Sequence, residues 1–218
     1  IRGVEMYGPN FFFLPNDYWS LDEEKDHILI TELQGNRSLR IPGEFLVATL
    51  RKPSLYADAI AVRPRHYFLA LPPRGLEALP ADVAEYVNWG LSSGAARPAL
   101  RAFGSHWYAH VHRQLQVKKP YGRVFLPDKV DPRFKHRGVF ANYSERPVTA
   151  SKNFYILRSN DVEACKLLSA WFNSSLFLTL LLLLGRRISE TWTRFLEEDY
   201  MRLPVMNLRN LSDSAKSR

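Results

Sequence analysis

The stretch NDVEACKLLSAWFNSSLFLTLLLLL, residues 160–184, decides how the rest of the chain is read. Asn160 followed three residues later by Glu163 is a capping-box pattern, and Asp161 adds a charge favoured at a helix N-terminus. The apolar spacing predicts one helix from there to Leu184, with Gly185 as terminator. Its length would be roughly 36 Å at 1.5 Å per residue. Leu176 to Leu184 is apolar on every face apart from Thr179, so this half is expected to be buried all round. A membrane span is the rival reading, because Lys166 is the only charge between Ala164 and Leu184, and Arg186-Arg187 follow. Ser169, Asn173, Ser174 and Ser175 interrupt it with a polar middle, and the wholly apolar block falls far short of ~20 residues. A core helix, with no membrane partner, is the expectation.

The segments before this helix alternate between two periods. Apolar runs at Phe11–Leu14, Ile28–Thr31, Phe45–Leu50, Ala59–Val62 and Tyr67–Leu71 are separated by Pro15-Asn16, Gly35-Asn36, Pro42-Gly43, Pro53 and Pro64. They predict strands of a mixed or antiparallel sheet. From Pro80 the period becomes helical, with Val83, Tyr86, Val87 and Leu91 on one face, and a second helix is expected from about Pro98 to Gln114. Strand-like runs return at Gly122–Leu126, Gly138–Ala141 and Phe154–Leu157. The fold class expected is α+β, a mainly antiparallel twisted sheet section followed by helices, with one long buried C-terminal helix. As a domain plan, residues 1–209 form one domain: β-rich over 1–75, helical over 80–115, β-rich over 120–158 and helical over 160–200. A flexible tail covers 210–218.

Composition narrows the function classes. With 218 residues, 46% of them hydrophobic, the chain can build a substantial core, which excludes general disorder. Thirty Lys plus Arg against 22 Asp plus Glu give a net charge of +8, and the pI is near 9.7; both favour a polyanionic partner. A single cysteine, Cys165, excludes a disulfide-stapled secreted fold and a multi-thiolate metal site, so a reducing, cytoplasmic setting is expected. The sequence starts at Ile1 without a signal-peptide pattern, which reads as a piece of a longer protein.

The basic residues fall in groups, several of them beside aromatics. The candidate DNA-binding residues are Arg51, Lys52, Lys118, Lys119, Arg123, Lys129, Lys135, Arg137, Lys152, Arg186, Arg187 and Arg194. Lysines on turns can hold phosphate oxygens, and arginines can also pair bidentately with guanine edges. The bland alternative for any one of them is a solvated surface or an ion pair with Glu145, Glu190 or Glu197. His106, His110 and His112 are spaced so that the first two share a helix face, but no carboxylate lies nearby to complete a zinc site. Asp17 with Glu23-Glu24 is a weak Mg2+ candidate, better read as an acidic surface loop. No nucleophile elbow, phosphate-binding loop or Gly-x-Gly-x-x-Gly turn occurs, so no catalytic, cofactor-binding or metal-ligating residue is assigned.

The C-terminal third carries a family resemblance. Ala150-Ser151-Lys152-Asn153-Phe154-Tyr155-Ile156-Leu157 is followed by Trp171-Phe172-Asn173-Ser174-Ser175, then Gly185-Arg186-Arg187, then Asp199-Tyr200 before Leu203-Pro204-Val205. This order resembles the C-terminal target-recognition region of adenine-specific N6 DNA methyltransferases of restriction-modification systems, the TaqI-like and Eco57I-like group. Trp107-Tyr108, Gly122-Arg123-Val124-Phe125-Leu126-Pro127 and Arg2-Gly3-Val4 extend the likeness upstream.

The resemblance implies sequence-specific binding of double-stranded DNA beside an N-terminal catalytic methyltransferase domain of the same parent chain. That domain would bind S-adenosylmethionine and grip the flipped adenine with an Asn-Pro-Pro-Tyr type loop. Neither motif occurs here, so this chain alone is expected to be inactive and to hold no cofactor. Two alternatives stand beside it. One is a protein-interaction module that uses Phe11-Phe12-Phe13 with Tyr18-Trp19 as an exposed anchor patch. The other is a metal-dependent nuclease domain.

Overall fold

The computed structural model describes residues 1–131, 138–187, 189 and 192–207; the Arg187 side chain and the predicted tail over 210–218 lie outside what it describes. The chain is α+β and divides into two compact units. One unit comprises Val4–Leu50 and Pro64–Lys119; the other comprises Ile1–Gly3, Arg51–Arg63 and the chain from Pro120 onward.

In the Val4–Lys119 unit the elements are α1 (Pro9–Phe12), β1 (Phe13–Leu14), β2 (Trp19–Glu23), β3 (His27–Glu32), β4 (Ser38–Pro42), β5 (Leu46–Leu50), β6 (His66–Leu69), α2 (Ala81–Ser92), α3 (Arg97–Phe103) and α4 (His110–Lys118). Strands β2, β3 and β4 form an antiparallel meander, and β6 pairs antiparallel with both β1 and β5. The alternation in β4, with Leu39 and Ile41 buried and Ser38 and Arg40 exposed, follows from the two-residue period of a half-buried strand. The Asp82 carboxylate at the start of α2 accepts the Arg40 backbone N–H at 2.7 Å, so a helix satisfies the outer edge of that meander.

Phe11, Phe12, Phe13 and Trp19 sit in the core of this unit with Tyr86, Trp89 and Trp107. Phe11–Leu14, read as a strand, is split: Phe11 and Phe12 end the short helix α1, which Pro9 opens, and Phe13 and Leu14 are the strand β1. The expected Pro98–Gln114 helix is broken. Gly104 has φ +68° and His106 has non-helical angles, so a 3-10 segment separates α3 from α4. The strands β2 and β4 lie within the section expected to be β-rich but outside the apolar runs named there.

The second unit holds β7 (Gly122–Pro127), β8 (Lys129–Val130), β9 (Asn142–Ala150), β10 (Phe154–Leu157), α5 (Val162–Phe172), α6 (Ser175–Leu184), β11 (Arg186–Arg187), β12 (Thr193–Arg194) and α7 (Glu197–Arg202). Strand β7 lies between β9 and β10, antiparallel to both. Residues 1–3 add a further segment along β10, with Gly3 N–H donating to the Phe154 carbonyl at 2.9 Å and Ile156 N–H to Ile1 at 2.7 Å. A Cβ on Gly3 would stand 2.2 Å from the Ser151 carbonyl oxygen, so only glycine fits this approach. Ala59–Val62, expected as a strand, makes only an isolated bridge through Ala61 to Tyr143. Gly138–Ala141 is irregular chain leading into β9.

The single helix expected over 160–184 is two helices. The N-cap is Asp161, not Asn160, and its carboxylate accepts the Ala164 N–H at 2.9 Å. Helix α5 stops at Phe172, and Ser174 caps α6 by accepting the Phe177 N–H at 3.2 Å. Serine and asparagine compete for backbone hydrogen bonds, so the polar middle that argued against a membrane span is a cap that breaks the helix. Nor is α6 buried all round: Phe177 and Leu181 are inside, whereas Leu176 and Leu183 are 59% and 77% exposed. Among the described residues no single helix is long and apolar enough to cross a membrane; α5 and α6 together reach that length and composition but are bent by 68°. Residues 186–194, expected within a helical stretch, carry β11 and β12 instead.

Candidate nucleic-acid interface

Strands β11, β12 and β8 form a small antiparallel sheet in which Arg186 stands opposite Arg194, and Arg194 opposite Lys129. Directly opposed residues project from the same face. The neighbouring register row contains Thr193 and Val130, both buried, so that face turns to the core and the Arg186–Arg194–Lys129 face turns to solvent. All three cations are exposed. Gly185 makes the approach possible, since a Cβ there would lie 2.3 Å from the Thr193 methyl and 2.6 Å from the Phe195 ring.

Like charges placed opposite each other on a sheet repel and cost stability. Two carboxylates offset part of the cost. Arg186 donates to Glu198 at 2.7 Å, an exposed pair of small worth. Asp128 lies under the row, 3.6 Å from Arg2. Burial pushes the Asp128 carboxyl above its ordinary value, and Arg2, Lys129 and Arg194 pull it part of the way back. Arg2, Lys129 and Arg194 thus act on the Asp128 carboxyl, and Arg186 pairs with Glu198. Trp192 joins the same face: it is 43% exposed, and the Lys129 ammonium lies 5.4 Å from its ring centroid.

The other candidate cations are dispersed or engaged. Arg51 and Lys152 are half-buried, and their backbone carbonyls accept hydrogen bonds, from Ser151 Oγ to Arg51 and from Arg2 Nε to Lys152. Lys52 precedes a 3-10 turn and is exposed. Arg123 sits where the β7–β9 register shifts and donates to the Glu145 carbonyl. In the Val4–Lys119 unit, Lys118 bonds Gln114 at 3.0 Å, and Lys119 closes α4 in the left-handed region at φ 44°. Arg187 stands opposite Thr193 in the β11–β12 register. Lys135 and Arg137 lie outside the described residues. The structure therefore gathers Lys129, Arg186 and Arg194 from the predicted set and adds Arg2 and Trp192. Trp192 was legible only as an aromatic within an arginine-rich segment.

No protein-family model matches the sequence, and no curated protein matches it significantly. Among solved structures, the chain is similar to the type IIG restriction endonuclease BpuSI, with a TM-score of 0.47 and 18% identity, covering 81% of this chain and 21% of that one. It spans about a fifth of that chain's length.

The residues that carry the sequence motifs are chiefly architectural. Asn173 ties α5 to the approach of β9 through both ends of its amide. Asp199 accepts the Leu196 N–H at 2.7 Å, and Tyr200 donates to the Pro127 carbonyl at 2.6 Å. Cys165 is buried in α5, and burial pushes its thiol up, opposite to what an activated nucleophile requires.

The two alternative sites take other forms. The proposed anchor patch is core: Phe11, Phe12 and Trp19 have no exposed surface, and Tyr18 alone of that set is exposed. His106 lies in the 3-10 segment, whereas His110 begins α4 and stacks on Phe103 at 3.7 Å. Its Nε2 lies 3.0 Å from the Glu5 carbonyl, and burial lowers its pKa. The two imidazoles do not share one helix. Among the described residues no group of three or more His, Cys, Asp or Glu could hold a metal ion.

The buried Asp128 carboxyl gives a pH-dependent expectation. A carboxyl whose folded pKa is raised stabilises the fold fully below its unfolded value, and this contribution is lost as pH rises through the folded value. Asp128 Oδ1 is buried without a hydrogen bond. Asp128→Asn removes the charge and keeps the shape, so the variant should gain stability relative to the parent as pH rises from about 4, the ordinary aspartate range, toward 7. Paired thermal melts across that range check it, and a variant that melts lower than the parent at neutral pH refutes it.

Proposed function

We propose that this chain binds double-stranded DNA as the target-recognition part of a site-specific adenine-N6 DNA methyltransferase, beside a separate catalytic domain of the same parent. The exposed Lys129–Arg194–Arg186 row carries the reading. A face that places three cations in register at a cost to its own stability is suited to a partner that supplies phosphates. The net charge of +8 and the order of motifs from Ala150 to Val205 support the same partner. In this reading S-adenosylmethionine and methyl transfer belong to the catalytic domain, because the chain supplies neither a glycine-rich cofactor turn nor an Asn-Pro-Pro-Tyr sequence.

The test is duplex binding by the full chain across a salt series. Log affinity should fall with log salt by roughly 0.9 per phosphate neutralised. Lys129→Ala and Arg194→Ala should each flatten that slope by about one if they contact phosphate. An arginine that reads a base would show instead as relaxed preference among sequences selected from a random duplex pool. Binding that ignores both salt and these substitutions would overturn the proposal.

A further inference from the structure

The cation row explains a duplex partner, but it does not explain Trp192. Large aromatic residues are mostly buried, and here Trp19, Trp89 and Trp107 are 0%, 4% and 2% exposed, against 43% for Trp192. Trp192 adjoins β12, two residues before Arg194, and its carbonyl accepts the Ser189 N–H at 3.3 Å across the β11–β12 connection. The Lys129 ammonium lies over its ring, so the indole is held on the cationic face.

Resting on the reading above, we propose that Trp192 is a stacking platform for an unpaired nucleobase, held there while Lys129, Arg194 and Arg186 bind the flanking phosphates. An aromatic face beside a track of cations is the arrangement that binds unstacked nucleotides, because every base has a π-face and every linkage a charge. A fully paired duplex shows its base faces only at its ends, so this platform is used where a base has left the stack. Methylation of a base inside a duplex requires such a step. The partner class is therefore a duplex with a locally unpaired nucleotide.

The experiment compares two labelled duplexes, one fully paired and one with a single unpaired nucleotide, binding to the full chain and to its Trp192→Ala and Trp192→Phe variants. The parent should prefer the unpaired duplex by roughly 5- to 150-fold, the range expected for one base stacked on an aromatic ring. Trp192→Ala should bind both duplexes equally, and Trp192→Phe should restore part of the preference. Indole fluorescence of the parent should be quenched by the unpaired duplex more than by the paired one, and this difference should vanish in Trp192→Phe. Binding to the paired duplex with no preference, or equal quenching by both duplexes, overturns the stacking role and leaves the duplex-binding reading standing. Absence of binding to either duplex at low salt overturns both.

Discussion

Asn173→Ala is expected to destabilise the chain by about 2–4 kcal/mol, as two backbone N–H groups and two carbonyls lose their partner together. The Asn173 carbonyl oxygen accepts from Phe140 N–H at 2.6 Å and Ala141 N–H at 3.1 Å. Its amide nitrogen donates to the Ala141 carbonyl at 3.0 Å and the Ser169 carbonyl at 2.7 Å. One side chain thereby ends α5 and fixes the segment that enters β9. Alanine fills less space and offers no polar atom, so groups inside the unit would lose hydrogen bonds that water reaches poorly. Asn173→Asp keeps both acceptor contacts but sets an acceptor oxygen against the Ala141 and Ser169 carbonyls in place of the donating amide nitrogen, so it too should destabilise the chain. Urea unfolding measures the change, and Cys165 reports locally: buried in α5, it should react with a thiol reagent faster in the variant. A loss under 0.5 kcal/mol for alanine would show that the amide is not the tie described.

Phe11→Ala is the corresponding substitution in the Val4–Lys119 unit, with an expected cost of about 3–5 kcal/mol. Phe11 has no exposed surface and packs its ring 4.5 Å from Trp107, 5.0 Å from Phe12 and 5.2 Å from Tyr86. Gly90 fits around it, since a Cβ there would lie 2.4 Å from the Phe11 ring. Removing the ring leaves a cavity that close-packed neighbours fill only in part. Urea unfolding followed by indole fluorescence checks the cost, because Trp107 lines the void. If Phe11 were an anchor for another protein, the substitution would abolish association and leave stability unchanged; the burial predicts the reverse.

Elements whose pattern repeats over several residues were legible in the sequence. The helical spacing from Val83 to Leu91 is α2, and the runs at Ile28–Thr31, Gly122–Leu126 and Phe154–Leu157 are strands, because burial of one face imposes a period that composition displays directly. The mixed α+β class follows from that alternation. The positive charge was equally plain, and so were the arginines at 186 and 194.

Tertiary structure decided what depends on partners far along the chain. Asn173-Ser174 reads as a polar interruption until Phe140 and Ala141 are seen to occupy its hydrogen-bonding groups, and this contact splits one helix into two. The apolar block 176–184 has no period of its own, so which leucines face inward was settled by what packs against α6. The exposed row of Lys129, Arg186 and Arg194 joins residues about 60 positions apart through strand register, which no local pattern encodes. Sequence supplied the cations; pairing of three two-residue strands put them on one face beside Trp192, because buried Thr193 and Val130 turn the opposite face to the core.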